Sequence, residues 1–375
     1  MRSIAPAAVL SLALLGDALL YLVLPIHTAA FGVSLAWVGV LLAANRLVRI
    51  VGYGVIADLA RRLGPRRLTL AATGGAIVST AAYGLAQGAA PLLAARLVWG
   101  LSFAALNLTM LAYAVADAAR AGRRVGMSRA VSGFGPMLAL TVGAWASEPL
   151  GPQGVFVALA LVSAAALPVA WTLPDIRAAD AKHRRGRVAR PSALDVWAFG
   201  LGFAVDGVFV ITLSMLLGGL VSASSAVIAG GLLLALRRLV EVLLAPLGGV
   251  IGDRFGAGRM MLVFGLVLAA GLALIALGTI TPGAVLVVLA HGVLTTIGPV
   301  LAAERAPDAH LERLAAFATW RDIGAAAGPL AAGALAETLP LSVLYAGLTL
   351  FMLAALLPDV AGLARRSPPG TKDPS

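Results

Sequence analysis

One short pattern occurs twice, 195 residues apart, in an otherwise apolar chain. The first copy reads Gly54-Val-Ile-Ala-Asp58 with Arg61, Arg62, Gly64, Arg66 and Arg67 behind it; the second reads Gly249-Val-Ile-Gly-Asp253 with Arg254, Gly256, Gly258 and Arg259. Duplication on that scale implies two related bundles, and bundles so related hold ligands between them near mid-bilayer. The background decides the solvent. Hydrophobic residues make up 60% of the 375 and charged residues 12%, against about 25% charged in soluble domains, and the mean hydropathy is +0.96. Stretches of about 20 apolar residues cross the hydrocarbon. Twelve are expected, near 4–26, 35–57, 68–88, 91–116, 129–147, 153–173, 195–217, 224–250, 259–280, 284–303, 313–336 and 341–361. The fold class is therefore all-α: a polytopic membrane protein of twelve transmembrane helices in two pseudo-symmetric six-helix bundles.

Loop charge orients the chain. Arg61, Arg62, Arg66, Arg67, Arg120, Arg123, Arg124, Arg254, Arg259, Arg305, Arg313 and the basic residues of 177–190 fall on the side of the N-terminus, while the opposite loops, 27–34, 148–152, 218–223, 281–283 and 337–340, contain no Lys or Arg. The positive-inside rule then puts both termini in the cytoplasm. The same asymmetry explains the net charge of +11 without nucleic-acid binding. The run at 182–190 reads as a solvated linker near anionic lipid headgroups. The first stretch carries Asp17 and lacks a small-residue cleavage site, so it is expected to be a retained helix and not a signal peptide. Without Cys, disulfides and thiolate chemistry drop out. An Ala-, Gly- and Arg-rich composition with two Lys suggests a GC-rich genome and the cytoplasmic membrane of a bacterium.

The longest polar interval, 174–194, divides the chain into an N-terminal bundle (1–173), a cytoplasmic linker (174–194), a C-terminal bundle (195–361) and a cytoplasmic tail (362–375). Further features recur at nearly constant offset: Asp17 with Asp206, Asn45-Arg46-Leu-Val with Arg237-Arg238-Leu-Val, and Gly135-Pro136 with Gly328-Pro329. Together with the duplicated Gly-x-x-x-Asp loop, Arg96-Leu-Val-Trp-Gly100 in the fourth stretch and Asp117 ahead of Arg123 and Arg124, these residues resemble the major facilitator superfamily over nearly the whole chain. Gly133-Phe-Gly135-Pro136 and Gly143 resemble the Gly-Pro motif that the family's antiporters carry in the fifth helix. The resemblance implies secondary active transport by alternating access, no cofactor, and a cytoplasmic gate on Asp58 and Asp253. Arg61, Asp117, Arg254 and Arg321 are the other gate candidates. In the first loop Leu59 and Ala60 separate Asp58 from Arg61, which leaves the partner of Asp58 open. Physically, a carboxylate at a helix end can bind an Arg and cap a helix of the other bundle; a static loop cap is the alternative.

Charges inside the membrane are costly, roughly 2.5–3.5 kcal/mol each on insertion scales, so each needs a partner, a wet cavity or a job. Asp17, Arg46, Arg49, Arg96, Asp206, Arg238, Glu241 and His291 are the candidates for substrate binding and proton coupling. Arg46 and Arg49 share a helix face, as do Arg238 and Glu241, whereas Arg237 and Arg238 point about 100° apart. The expected map pairs Asp17 with Arg46 or Arg49, and Asp206 with Arg238 and Glu241. Separating a buried carboxylate from its Arg favours uptake of a proton, so Asp17, Asp206 and Glu241 are candidate carriers and the proton the expected coupling ion. Static ion pairs between helices are the alternative reading. Arg96 suits either helix packing or proton relay, and His291 either the cavity or a bond to a neighbouring helix. Arg129, Arg321 and Asp322 read as gate or interface charges, and the six Trp as interfacial anchors.

The functional expectation is a transporter of a small organic solute, proton-coupled and exporting, that works as a monomer in the bilayer. The alternatives are a proton-coupled importer of an organic anion, or a receptor or scaffold that has lost transport. Enzyme chemistry is not expected: no His/Asp/Glu cluster has metal spacing, no Gly-rich phosphate loop is followed by Lys, and no nucleophile is flanked by a base.

Overall fold

The computed structural model describes residues 4–175, 191–212, 223–336 and 339–364. Much of the expected linker, including Arg177, Lys182 and Arg190, lies outside the described residues. The chain is all-helical: α1 Ile4–Ile26, α2 Leu35–Leu63, α3 Pro65–Leu85, α4 Ala89–Val115, α5 Ala121–Leu138, α6 Ala144–Ala164, α7 Ala166–Trp171, α8 Ala193–Leu201, α9 Ala223–Phe255, α10 Ala257–Ala276, α11 Ile280–Glu304, α12 His310–Ala336 and α13 Leu341–Ala364. Among the described residues, nine helical segments are long and apolar enough to cross a membrane. One of them, Ala118–Trp171, turns back at Gly151, whose φ of 77° only glycine adopts readily, and so makes two passes. The remaining long helices, α9 and α12, carry Arg237, Arg238, Glu241, Arg321 and Asp322 within their length. With them the bundle accommodates the twelve crossings.

The duplicated loops fold alike because each contains one glycine with positive φ. Gly64 (φ 82°) joins α2 to α3 and Gly256 (φ 88°) joins α9 to α10, each a single-residue turn whose N–H bonds back to the carbonyl four residues earlier. A side chain there would strain the left-handed backbone, so the helices meet at a fixed angle. Pro65 at the first position of α3 loses no hydrogen bond. These turns, with 117–124 and 305–313, form what is termed here the basic face.

Burial follows the solvent. Val51, Val55, Leu161, Leu350 and Leu357 are exposed on the outside of the bundle, as lipid-facing side chains are. Helices α4 and α11 run through the interior, with Arg96, Trp99 and Asn107 on the one and His291 and Thr296 on the other buried. Trp99 and Trp197 are core residues, which corrects the expectation that the Trp residues anchor at interfaces; Trp145 and Trp171 remain exposed. Gly135 lies against Ser11 of α1, and Gly328 against Gly207, so close that a Cβ at either would collide. The two Gly-Pro sites thus serve close packing within each bundle.

Candidate functional site

Helix α8 continues as a π-helical stretch, Gly202–Phe209, and Asp206 sits inside it. Such wide turns re-aim a side chain at the cost of helical regularity and are frequent at functional sites. Asp206 accepts from Arg237 Nη2 on α9 and from Arg321 Nε on α12 at 3.0 Å, while His291 Nε2 on α11 lies 3.2 Å away. Glu241, one turn after Arg237, accepts from Arg237 Nε and Arg238 Nη1, both at 3.0 Å, and faces His291 Nδ1 at 2.9 Å. His291 thus lies between two carboxylates. Its Nε2 also lies 3.4 Å from Arg237 Nη2 and 3.5 Å from Arg321 Nη2.

The N-terminal bundle holds a simpler pair. Asp17 on α1 accepts from Arg96 Nη1 on α4, and Arg96 Nε donates to the Leu41 carbonyl at 2.9 Å. Tyr21 lies under the guanidinium at 5.5 Å from its ring centroid. Arg96 is wholly buried.

Two seams join the bundles. Along α2 and α12, Arg46 Nη1 donates to the Ala325 carbonyl at 2.7 Å, and Arg49 Nη2 donates to Asp322 Oδ1 at 3.2 Å. Phe103 stacks under Arg49 at 4.6 Å. Along α5 and α9, small residues let backbones touch: a Cβ on Gly126 would lie 2.1 Å from the Ala245 carbonyl oxygen, and one on Gly249 2.1 Å from that of Gly122. Arg129 lies on α5 one turn beyond Gly126. Its Nε is buried without a hydrogen-bond partner, and among the described residues the side chain makes no ion pair.

At the basic face both seams are latched. Asp253 accepts from the N–H groups of Gly122 and Arg123 at 2.7 and 2.9 Å, capping α5 from the other bundle. Asp58 binds Arg61 and Arg62 of its own helix at 2.8 and 2.7 Å, and Arg61 in turn pairs with Glu312 at the start of α12. Asp117 stays local, 3.1 Å from Arg124.

Four placements differ from the sequence map. Asp17 pairs with Arg96, because Arg46 and Arg49 point across the seam to α12. Asp206 is held by Arg237 and Arg321, while Arg238, 70% exposed, reaches only Glu241; neighbouring residues 100° apart cannot both turn inward. Arg321, a gate candidate in the sequence, bonds Asp206. Arg254 is exposed, over the Phe255 ring at 5.3 Å, and takes no part in the latches. Glu312 and the Arg49–Asp322 pairing were missed, since nothing in sequence spacing links helices on opposite sides of the linker.

Long helices in two bundles, with charged side chains meeting along the seams between them, define a multi-pass membrane transporter fold. The chain belongs to the Major Facilitator Superfamily, whose family model matches residues 7–229. Two solved structures resemble it over 95% of its length: the human organic anion transporter MFSD10 (TETRAN), at 18% identity with TM-score 0.74 over 98% of that chain, and the proton:xylose symporter XylE bound to 6-bromo-6-deoxy-D-glucose, at 15% identity with TM-score 0.73 over 94%. Comparison with curated protein sequences gives no match. Membership places the chain among transporters and not enzymes, in a family whose members typically need no cofactor.

Proposed function

We propose that the protein is a secondary active transporter that exports a small organic solute in exchange for protons, by alternating access, and that the structure has the form closed at the cytoplasm. The observation carrying this reading is the pair of cross-bundle latches on the basic face, Asp253 on the start of α5 and Arg61 on Glu312. Contacts made between bundles by exposed or half-buried charges at helix ends can break without unfolding either bundle, which alternating access requires. The basic face is the cytoplasmic one, and the membrane the inner membrane of a bacterium. The bundles are 1–173 and 195–361, joined by 174–194, and the single chain is the working unit.

Proton coupling is assigned to Asp206, Glu241 and His291. Rocking that withdraws Arg321 of α12 from Asp206 would leave a buried carboxylate short of positive charge, and a proton replaces it. Asp17, held by Arg96 inside one bundle, keeps its partner during rocking and serves structure.

A second reading, proton-coupled import of an organic anion, is favoured by one observation: Arg46 and Arg129 lack carboxylate partners among the described residues. The name of one similar structure, an organic anion transporter, fits the solute class of this reading, and that of the other, a proton:xylose symporter, fits its coupling. Reconstituted vesicles separate the readings once a solute is found by thermal shift across organic acids, sugars and drugs at two pH values. An acid interior drives accumulation by an antiporter; an acid exterior drives it by a symporter. Asp206→Asn is expected to abolish gradient-driven accumulation and retain solute counterflow. Gradient-driven transport unchanged in Asp206→Asn would remove the cluster from coupling.

A further inference from the structure

We propose that Arg129 is the anchor for an oxyanion, a carboxylate or phosphate, on the transported solute. The inference rests on the carrier reading and deepens it by naming a substrate class.

The internal duplication carries the argument. Arg49 on α2 and Glu241 on α9 stand 192 residues apart, and Arg129 on α5 and Asp322 on α12 stand 193 apart, within the offsets of the other repeated features. The two cross-bundle seams therefore bear corresponding positions with reversed charge: an Arg facing an Asp on one, a Glu facing an Arg on the other. On the first seam the pair is made, Arg49 Nε lying 3.0 Å from Asp322 Oδ2. On the second it is not. Glu241 is taken by Arg237, Arg238 and His291, and Arg129 is left with a buried, unbonded Nε.

The neighbourhood of Arg129 does not make up the deficit. Its electrostatic neighbours are Arg321, Tyr53, Glu241 and Asp206; Arg321 repels it, and both carboxylates are engaged by other guanidinium groups. Among the described residues, Arg46, Arg49, Arg129, Arg237, Arg238 and Arg321 have three carboxylates near them at the seams, Asp206, Glu241 and Asp322, so guanidinium groups outnumber carboxylates there by three. Arg129 is half-buried with its Nε out of water, and a guanidinium partly withdrawn from water without a counter-charge is disfavoured. An oxyanion meets the planar fork through two parallel N–H bonds, and on a seam that opens and closes it can enter and leave. Arg46, which spends one N–H on the Ala325 carbonyl, adds positive charge from the other seam.

The test uses purified full-length protein and thermal unfolding with succinate, benzoate or inorganic phosphate at matched ionic strength, against choline chloride and glucose. At least one oxyanion should stabilise the wild type. Arg129→Gln should weaken its apparent affinity roughly tenfold or more, Arg129→Lys should weaken it less, and Arg67→Gln, on the exposed basic face, should leave it unchanged. Equal stabilisation of wild type and Arg129→Gln overturns the proposal, as does no stabilisation by any of the three. Stabilisation only by short-chain phosphatidic acid overturns it in favour of a lipid headgroup site. Counterflow of a neutral solute, equal in wild type and Arg129→Gln, would sink the anion site and keep the carrier. Arg129-dependent binding of an anion that shows no counterflow would keep the site and sink the carrier.

Discussion

Asp17 and Arg96 show how much one residue's setting decides. Their pair is enclosed within a single bundle, with Arg96 wholly buried and its Nε on the Leu41 carbonyl. Removing one partner of such a pair strands the other and costs about 3–5 kcal/mol, whereas removing both costs much less. Arg96→Gln should therefore lower the thermal midpoint sharply, and Asp17→Asn combined with it should restore part of the loss. Additive losses would show that the pair contributes no coupling energy. Which residues are charged at mid-depth was legible in the sequence; their partners were not. Spacing reports only which residues share a face of one helix, and Arg46, Arg49 and Asp17 each turned to another helix.

Among the elements, the seam between α5 and α9 depends on glycine. Gly122, Gly126 and Gly249 bring backbone carbonyls within a distance no Cβ tolerates, and Asp253 then reaches the first N–H groups of α5. Gly126→Leu should wedge the seam and separate the helices at the basic face. Because the natural chain has no Cys, spin labels at Arg123→Cys and Val250→Cys report that distance directly. It should lengthen in Gly126→Leu and change less in Gly126→Ala; an unaltered distance would mean that the seam is not held by close contact. The sequence exposed the Gly-Pro sites as a feature repeated in both halves. It did not show the π-helical stretch around Asp206, which arises where Gly202 and Gly207 pack on α12.

For the whole molecule, the proposed alternating access makes the latches the contacts that set the balance between conformations. Exposed charge contacts and helix caps are each worth about 0.3–1 kcal/mol, small enough to break in every cycle. Glu312→Gln with Asp253→Asn should shift the population several-fold toward a form open at the basic face. The rate at which an impermeant thiol reagent modifies Ser132→Cys from that face would then rise, and an unchanged rate would deny the latches a gating role. Asp58→Ala, which frees Arg61, should slow turnover more than it weakens solute binding, measured as transport rate against thermal-shift affinity. By itself the sequence determined the all-helical class, the duplication and the identity of the intramembrane charges, because hydrocarbon admits only internally bonded backbone and penalises every charge wherever it sits. Only the tertiary structure decided which charges pair, which bridge the bundles and that Arg129 has no ion pair among the described residues, because an ion pair depends on a few ångströms between helices that the 3.6-residue period does not encode.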